Sequence, residues 1–596
     1  MEKTDLAAAG GNSGPFHNPM AAQIWDMKYR LKDQDGNPID ATVEDTWRRV
    51  ADAIAEPETD KQYWSEQFYR ILENFSFIPA GRINAGAGTD RNVTLFNCFV
   101  MGTVPDSLSG ICDMLKEAAM TMQAGGGIGY DFSTIRPAGA PVKGVAADAS
   151  GPLTFMDVWD SMCKTIMSAG VRRGAMMATM RCDHPDIEKF VEAKRDPLRL
   201  RMFNLSVLVT DPFMDAVRSD AKWDLVFNGK VYKTIRARAL WDKIMGATYH
   251  YAEPGVIFID RINDDNNLNY CETIAATNPC GEQPLPPYGA CLLGSVNMAA
   301  MLRDDFTVNE DKLRETVRVA VRLMDNVIDV SKFPLPEQEQ EAKDKRRIGL
   351  GVTGVANAMA LGGVVYGSDE GAEWVDKYLH IIAREAYLAS IELAREKGSF
   401  PLFDADGFLA SGNMEKMDED IRDAVRYVGI RNALLTSIAP TGTISLYAGN
   451  VSSGIEPTFA YEYDRKVMQK DGSKVTETVR DYAADKWRRA RPGEPFPASF
   501  VSAQTLSPVD HVKMQAAAQK WIDSSISKTI NCPEDIGFDE FKDVYMTAWE
   551  MGCKGCTTYR PNEVTGSVLS VKDPEESGAC ELRYDESTGQ LIRSCE

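Results

Sequence analysis

The chain has 596 residues, 44% hydrophobic and 26% charged. It can bury a large core as about three or four domains, or as one large barrel with appendages. A formal net charge of -21 argues against a protein that coats DNA, because phosphate contacts need a cationic surface; local backbone or Arg sites can still take small anions. No run of about 18 apolar residues and no charged-then-apolar leader occurs, so a cytoplasmic location without membrane binding is expected.

Residues 1–20 are small, Gly-rich and polar, and are expected to be disordered. A helical region follows over 21–90, with amphipathic helices at Val43 to Ala55 and Gln62 to Glu73. It ends in the loop Ile78-Pro-Ala-Gly-Arg-Ile-Asn-Ala-Gly-Ala-Gly88. A strand at Val93 to Met101 carries Cys98. The next helix, Ser107 to Gln123, has a cap signal in Asp106 and is stopped by Ala124-Gly-Gly-Gly-Ile-Gly129. That glycine run lets backbone approach a ligand without being a dinucleotide fingerprint. A further helix is expected near Phe155 to Ser168. Two basic patches, Gly170 to Gly174 and Lys194 to Arg201, read equally as solvated loops or anion sites.

From Asn204 onward, short apolar segments alternate with longer helical ones. Ser206 to Thr210, Gly255 to Ile259, Arg347 to Thr353 and Leu434 to Ala439 read as buried strands. Leu313 to Asp329, Glu373 to Glu396 and Phe538 to Met551 read as helices. This alternation predicts an α/β fold with a largely parallel sheet, open or closed into a barrel.

At its centre lies Asn278-Pro-Cys-Gly-Glu-Gln-Pro-Leu-Pro-Pro-Tyr-Gly-Ala-Cys291, whose prolines and glycines favour a stiff irregular loop. In a roughly extended backbone, Asn278, Cys280 and Glu282 share a face, placing an amide, a thiol and a carboxylate before one substrate. A structural loop with a buried cysteine is the plainer reading.

Ile438-Ala-Pro-Thr-Gly-Thr-Ile-Ser445 reads as a phosphate turn at a helix start or as an ordinary strand-to-helix turn. The twelve cysteines are scattered, and the five His residues form no zinc pattern, so no metal site is expected. Cys553-Lys-Gly-Cys556 has redox spacing but no thioredoxin-like context. Beyond Tyr559 the chain is Pro/Gly-punctuated and charged, and 561–596 reads as a mobile cysteine-bearing tail.

Seven motifs occur in one order: Leu95-Phe-Asn-Cys98; the glycine run with Tyr130-Asp-Phe-Ser-Thr-Ile-Arg-Pro137; Asn278-Pro-Cys-Gly-Glu282; Ala290-Cys-Leu-Leu-Gly-Ser-Val-Asn297; Arg346-Arg-Ile-Gly-Leu-Gly-Val-Thr-Gly354; Ala439-Pro-Thr-Gly-Thr-Ile-Ser445; and Ser453-Gly-Ile-Glu-Pro457. In this order they resemble the ribonucleotide reductase catalytic subunit, and its class II, adenosylcobalamin-dependent branch most closely. The resemblance implies a ten-stranded α/β barrel over 91–560, with a central finger loop carrying a radical cysteine.

By the same resemblance Cys280 is that cysteine, Glu282 the base for the 3′ hydroxyl and Asn278 the group that holds the substrate hydroxyls. Cys98 and Cys291 are the pair that gives up two electrons and closes to a disulfide. Asn97, Ala124, Gly125 and Pro440, Thr441, Gly442, Thr443, Ile444, Ser445 contact substrate. Asp106, Ser107, Leu108 and Arg136 contact a dNTP or ATP effector, whose identity the loop Lys194 to Asn204 relays.

The implied substrate is a ribonucleoside diphosphate, the cofactor adenosylcobalamin and the state a homodimer. A thioredoxin-like reductant is expected to act through Cys580 and Cys595, with Cys553 and Cys556 as the rival pair. Class I relatives resemble one another in an adjacent tyrosine pair, whereas Cys556-Thr-Thr-Tyr559 has one tyrosine, and no glycyl-radical signature is present. The alternatives are a class I subunit that needs a separate metal-bearing partner, a nucleotide-binding relative with a dead barrel, and a thiol oxidoreductase centred on Cys553 and Cys556.

Overall fold

Thr42 fixes the start of the helix Val43–Ala55: its hydroxyl accepts from the Asp45 N–H, while the Asp45 carboxylate accepts from the Thr42 N–H at 2.8 Å. Trp47, Val50, Ala51 and Ile54 lie on one face of this helix and are buried against the helix Lys61–Leu72. The computed structural model describes residues 15–142, 148–166, 175–196, 198–468, 474–561, 580–585 and 590–595; for 463–468, 474–479 and the last two runs it describes backbone only. Asn18 caps a helix at Pro19–Lys28, so order begins before the end of the stretch expected to be disordered.

Glu58, between the two longer helices, ties this region to the rest of the molecule. Burial opposes its charge, but bonds from Arg322 at 2.6 Å, Lys397 at 2.9 Å and Asn326 outweigh that and lower its pKa to about 2.

Phe203–Val209 reads Phe-Asn-Leu-Ser-Val-Leu-Val and is buried at every position but Asn204, the pattern of a strand covered on both faces. It sits inside an eight-stranded ladder. Cys98–Val100, Gly127–Asp131, Met176–Arg181, Phe203–Val209 and Gly255–Phe258 run parallel in that order. Ala290–Cys291 joins one edge antiparallel; Gly555–Tyr559, followed by Thr529–Asn531, joins the other. Helices such as Leu108–Gln123, Pro152–Thr165 and Ala237–Tyr251 separate the parallel strands, as a parallel sheet requires.

A second ladder holds Phe77–Pro79, Leu293–Asn297 and Gly349–Thr353. The stretch read as a strand at Leu434 to Ala439 contributes only single bridges, Thr436 to Leu350 and Ile438 to Ile526. The Asp523 carboxylate accepts from the N–H groups of Leu435 and Thr436, so a side chain takes bonds a ladder would otherwise use. Among the described residues the hydrogen bonds draw ladders of eight and three strands and do not close them into one ring. In the tail, Cys580–Asp585 and Gln590–Cys595 pair as an antiparallel hairpin.

Candidate active site

Ala276–Thr277 and Pro284–Leu285 pair antiparallel, so Asn278 to Gln283 form a hairpin tip and not the extended run expected from their alternation. Gly281, at φ +80°, takes the left-handed turn, and the Asn278 side-chain oxygen accepts from the Gln283 N–H at 3.0 Å. The three chemical groups therefore do not share one strand face. Asn278 is wholly buried inside the turn, while the Cys280 side chain is exposed at its tip.

The hairpin is held from two sides, by the large ladder and by the bridging segments near 437 and 525. On one side Thr179 donates to the Ala275 carbonyl and Asn204 to the Pro279 carbonyl, each at 2.8 Å. A side chain at Gly129 would overlap the Thr277 carbonyl, so glycine is what lets the hairpin lie against the sheet. On the other side the Ser437 hydroxyl and the Ser525 N–H donate to the Glu282 carbonyl at 2.9 and 3.0 Å.

The tip opens into a cleft of about 410 Å³ lined by Cys280, Glu282, Cys98, Asn97 and the run Ala439 to Ile444. Cys98 and Cys291 are direct partners across antiparallel strands. Such partners share a face, with Cα atoms roughly 4.5–5.5 Å apart, a separation that a disulfide spans. Burial pushes the Cys291 thiol well above its ordinary pKa, and Cys98, Glu282 and Cys280 push it further, so all four groups lie within electrostatic reach. The buried polar atoms without a hydrogen-bond partner among the described residues include the Asn97 side-chain oxygen, on the cleft wall, and the Asn278 amide nitrogen, inside the hairpin and not part of the wall. A donor and an acceptor held this way suit the hydroxyls of a ligand.

The remaining expected site residues divide. Pro440, Thr441, Gly442, Thr443 and Ile444 line the cleft, at the start of a short helix Gly442–Tyr447 whose first N–H groups have no partner within it. The Thr441 hydroxyl, however, is used by the Gly454 N–H at 2.8 Å, and Ser445 turns away to Ser453 at 3.0 Å. Ala124 and Gly125 end the helix Leu108–Gln123 and are not wall residues; Gly125 reaches the cleft through Arg82, which donates to its carbonyl.

Asp106 and Arg136 come together away from the cleft in a two-oxygen contact at 2.9–3.0 Å, beside Ser107, which caps the helix, and exposed Leu108. In the Lys194 to Asn204 loop, Lys194 bonds the carbonyls of Leu200 and Phe203, while Arg199 pairs with Asp157 and, with Lys189 and Arg195, lines a separate cavity; Pro197 lies outside the described residues, as does the basic patch Gly170 to Gly174.

Cys580 and Cys595 are backbone partners in the tail hairpin. Cys553 and Cys556 are buried, which raises the Cys553 pKa to about 12 and that of Cys556 well above normal. No group of three or more His, Cys, Asp or Glu among the described residues is placed to hold a metal ion.

Motif reading missed Arg82, Lys28 and Arg91 of the cleft wall, and Ser437 and Ser525, which hold Glu282. For Arg82 a signal existed, a cation set among glycines in the 78–88 loop.

Residues 96–559 match a family model described as "Ribonucleotide reductase, barrel domain", and 15–92 match "Ribonucleotide reductase, all-alpha domain". A vitamin B12-dependent ribonucleoside-diphosphate reductase of Mycobacterium tuberculosis is 38% identical, over 97% of this chain and 82% of that protein. One of the same name from Thermoplasma acidophilum is 35% identical, over 91% of this chain and 72% of that protein. A ribonucleoside-diphosphate reductase subunit alpha of Chlamydia pneumoniae is 27% identical, over 93% of this chain and 60% of that protein.

Proposed function

The chain belongs to the ribonucleotide reductase family, and from that premise we propose that it reduces ribonucleoside diphosphates to 2′-deoxyribonucleotides with adenosylcobalamin as radical source. The observation that carries the reading is the placing of Cys280, Glu282 and Cys98 in one cleft, with Cys291 paired to Cys98 behind it. We read the five parallel strands of the large ladder, together with Leu293–Asn297, Gly349–Thr353, the bridging segment 434–438, the stretch 524–531 and Gly555–Tyr559, as a ten-stranded α/β barrel with the hairpin as its central finger.

The exposed Cys280 thiol at the tip of a buried hairpin is open to a group seated at the cleft mouth, and by this the coenzyme fits. When bound, it supplies the organic radical that removes the thiol hydrogen of Cys280. The resulting thiyl takes the ribose 3′ hydrogen, Glu282 takes the 3′ hydroxyl proton, and the Asn278 amide orients the hydroxyls. The Cys98 and Cys291 thiols give two electrons and two protons: the 2′ hydroxyl leaves as water, hydrogen replaces it, and the sulfurs close to a disulfide, while Cys280 returns its hydrogen to C3′ and is a thiyl again as Glu282 returns the 3′ hydroxyl proton.

Reopening that disulfide falls to a thioredoxin-like protein through Cys580 and Cys595, whose backbone pairing supports the assignment. Consumption of thiols belongs in a reducing cytoplasm, and no helix among the described residues is long and apolar enough to cross a membrane. Asp106, Ser107, Leu108 and Arg136 form the effector site. Exposed Leu108, Met120 and Val158, on the helices Leu108–Gln123 and Pro152–Thr165, support a homodimer through this face.

The test is reduction of CDP by the purified chain with dithiothreitol and an effector nucleotide. Turnover that depends on adenosylcobalamin is expected. Turnover that appears only with a metal-loaded second subunit would move the chain to class I, which the greater similarity to B12-named relatives does not favour.

A further inference from the structure

Arg82 belongs to none of the seven motifs, yet the fold delivers it to the cleft. The strand Phe77–Pro79 pairs with Leu293–Asn297, and the Ala80 N–H donates to the Leu293 carbonyl at 3.1 Å, so the following turn Gly81–Gly86 begins at the cleft wall. There half-buried Arg82 shares the lining with Cys280, Glu282 and the run Ala439 to Ile444.

Its guanidinium is held in place. It donates to the Gly125 carbonyl, and a Cβ on Gly125, where φ is +95°, would lie only 2.6 Å from Nη1. Glycine at 125 thus serves the backbone turn and the guanidinium packed on it.

Charge completes the argument. Lys28, Arg82 and Arg91 line this cleft against the single carboxylate of Glu282, in a chain whose net charge is -21. Three cations on one cleft wall make an arrangement that draws a multiply charged anion into an otherwise acidic protein. Arg differs from Lys in offering a planar fork of donors that matches phosphate oxygens and in keeping its charge when partly buried.

We propose that Arg82 recognises the phosphates of the bound nucleotide, and is the residue by which the cleft prefers a nucleoside diphosphate to the bare nucleoside. The proposal rests on reading the cleft as the ribonucleotide site.

Equilibrium dialysis of the full chain with labelled CDP and labelled cytidine separates this role from a structural one. Wild type is expected to bind CDP well above cytidine. Arg82→Gln should weaken CDP about 30-fold, as for loss of a charged hydrogen bond, and leave cytidine within about twofold. Equal weakening of both ligands, or of neither, overturns the proposal, because a merely structural Arg82 has no reason to distinguish them.

Arg82→Lys, which keeps the charge, should lose several-fold in CDP affinity alone; it decides the matter in the same way if Arg82→Gln does not fold. A wild type that binds CDP no better than cytidine would instead remove the ribonucleotide reading itself, and this proposal with it.

Discussion

Cys98 and Cys291 are far apart in sequence yet face each other across two strands at the edge of a cleft, whereas Cys553 and Cys556, with the spacing of a redox motif, are both sealed in the core. The first pair gains its chemistry from register and access: one thiol lines the cleft, and the two Cα positions suit a disulfide. The second pair has no substrate access; burial raises its pKa values as it raises that of Cys291, so access, and not ease of forming a thiolate, separates the two pairs. Spacing along the chain identifies a pair that can bond, and the surroundings decide whether it reacts.

The largest effect that bears on this contrast is expected at the thiol between the two ladders. Cys280→Ala should reduce CDP turnover by at least about 10⁴-fold while melting near the wild type, since its side chain is exposed. Residual turnover within tenfold of wild type would remove Cys280 from the chemistry.

Cys98→Ser and Cys291→Ser should each lower multiple turnover by about 10³-fold, because a lone thiol cannot supply two electrons and close to a disulfide. Peptide mapping after one turnover should find a bond between Cys98 and Cys291 in wild type. A bond between Cys553 and Cys556 in its place would reverse the comparison.

Alkylation measures the difference without turnover. With its pKa at about 12, Cys553 carries about a thousandth of the thiolate of an ordinary cysteine near pH 8. Its labelling in the folded chain should stay far behind that of exposed Cys112 and rise about tenfold per pH unit up to about pH 12. Labelling of Cys553 at the Cys112 rate at pH 8 would show that the site opens. The smallest effect belongs to Cys553→Ala, which should keep CDP turnover within about twofold and cost about 1 kcal/mol of stability for the lost sulfur contacts.

Much of the local structure was legible. Val43–Ala55 was delimited by its apolar period, and the structure adds the Thr42 cap. The helices Glu310–Val330, Asp369–Lys397 and Phe538–Glu550 extend their expected spans by a few residues or match them closely, as long periodic segments should. Strands were harder. Val93 to Met101 reduces to Cys98–Val100, because the Leu95 N–H is taken by the Ser331 hydroxyl and that part of the chain leaves the ladder. Leu434 to Ala439 has the buried apolar character of a strand, but the Asp523 carboxylate from a distant segment claims its amides.

The kinds of residue needed for radical chemistry, and their order, were determined by the sequence alone: the thiols, the carboxylate, the amide and the glycines that let chains approach. Which of them meet was decided by the tertiary structure. A turn at Gly281 separated Asn278 from Cys280, strand register joined Cys98 to Cys291, and the packing of the 78–88 loop against Leu293–Asn297 brought Arg82 to the cleft. Local rules see neighbours a few residues away, whereas strand pairing and close backbone approach join segments hundreds of residues apart, and no periodicity within either segment encodes its partner.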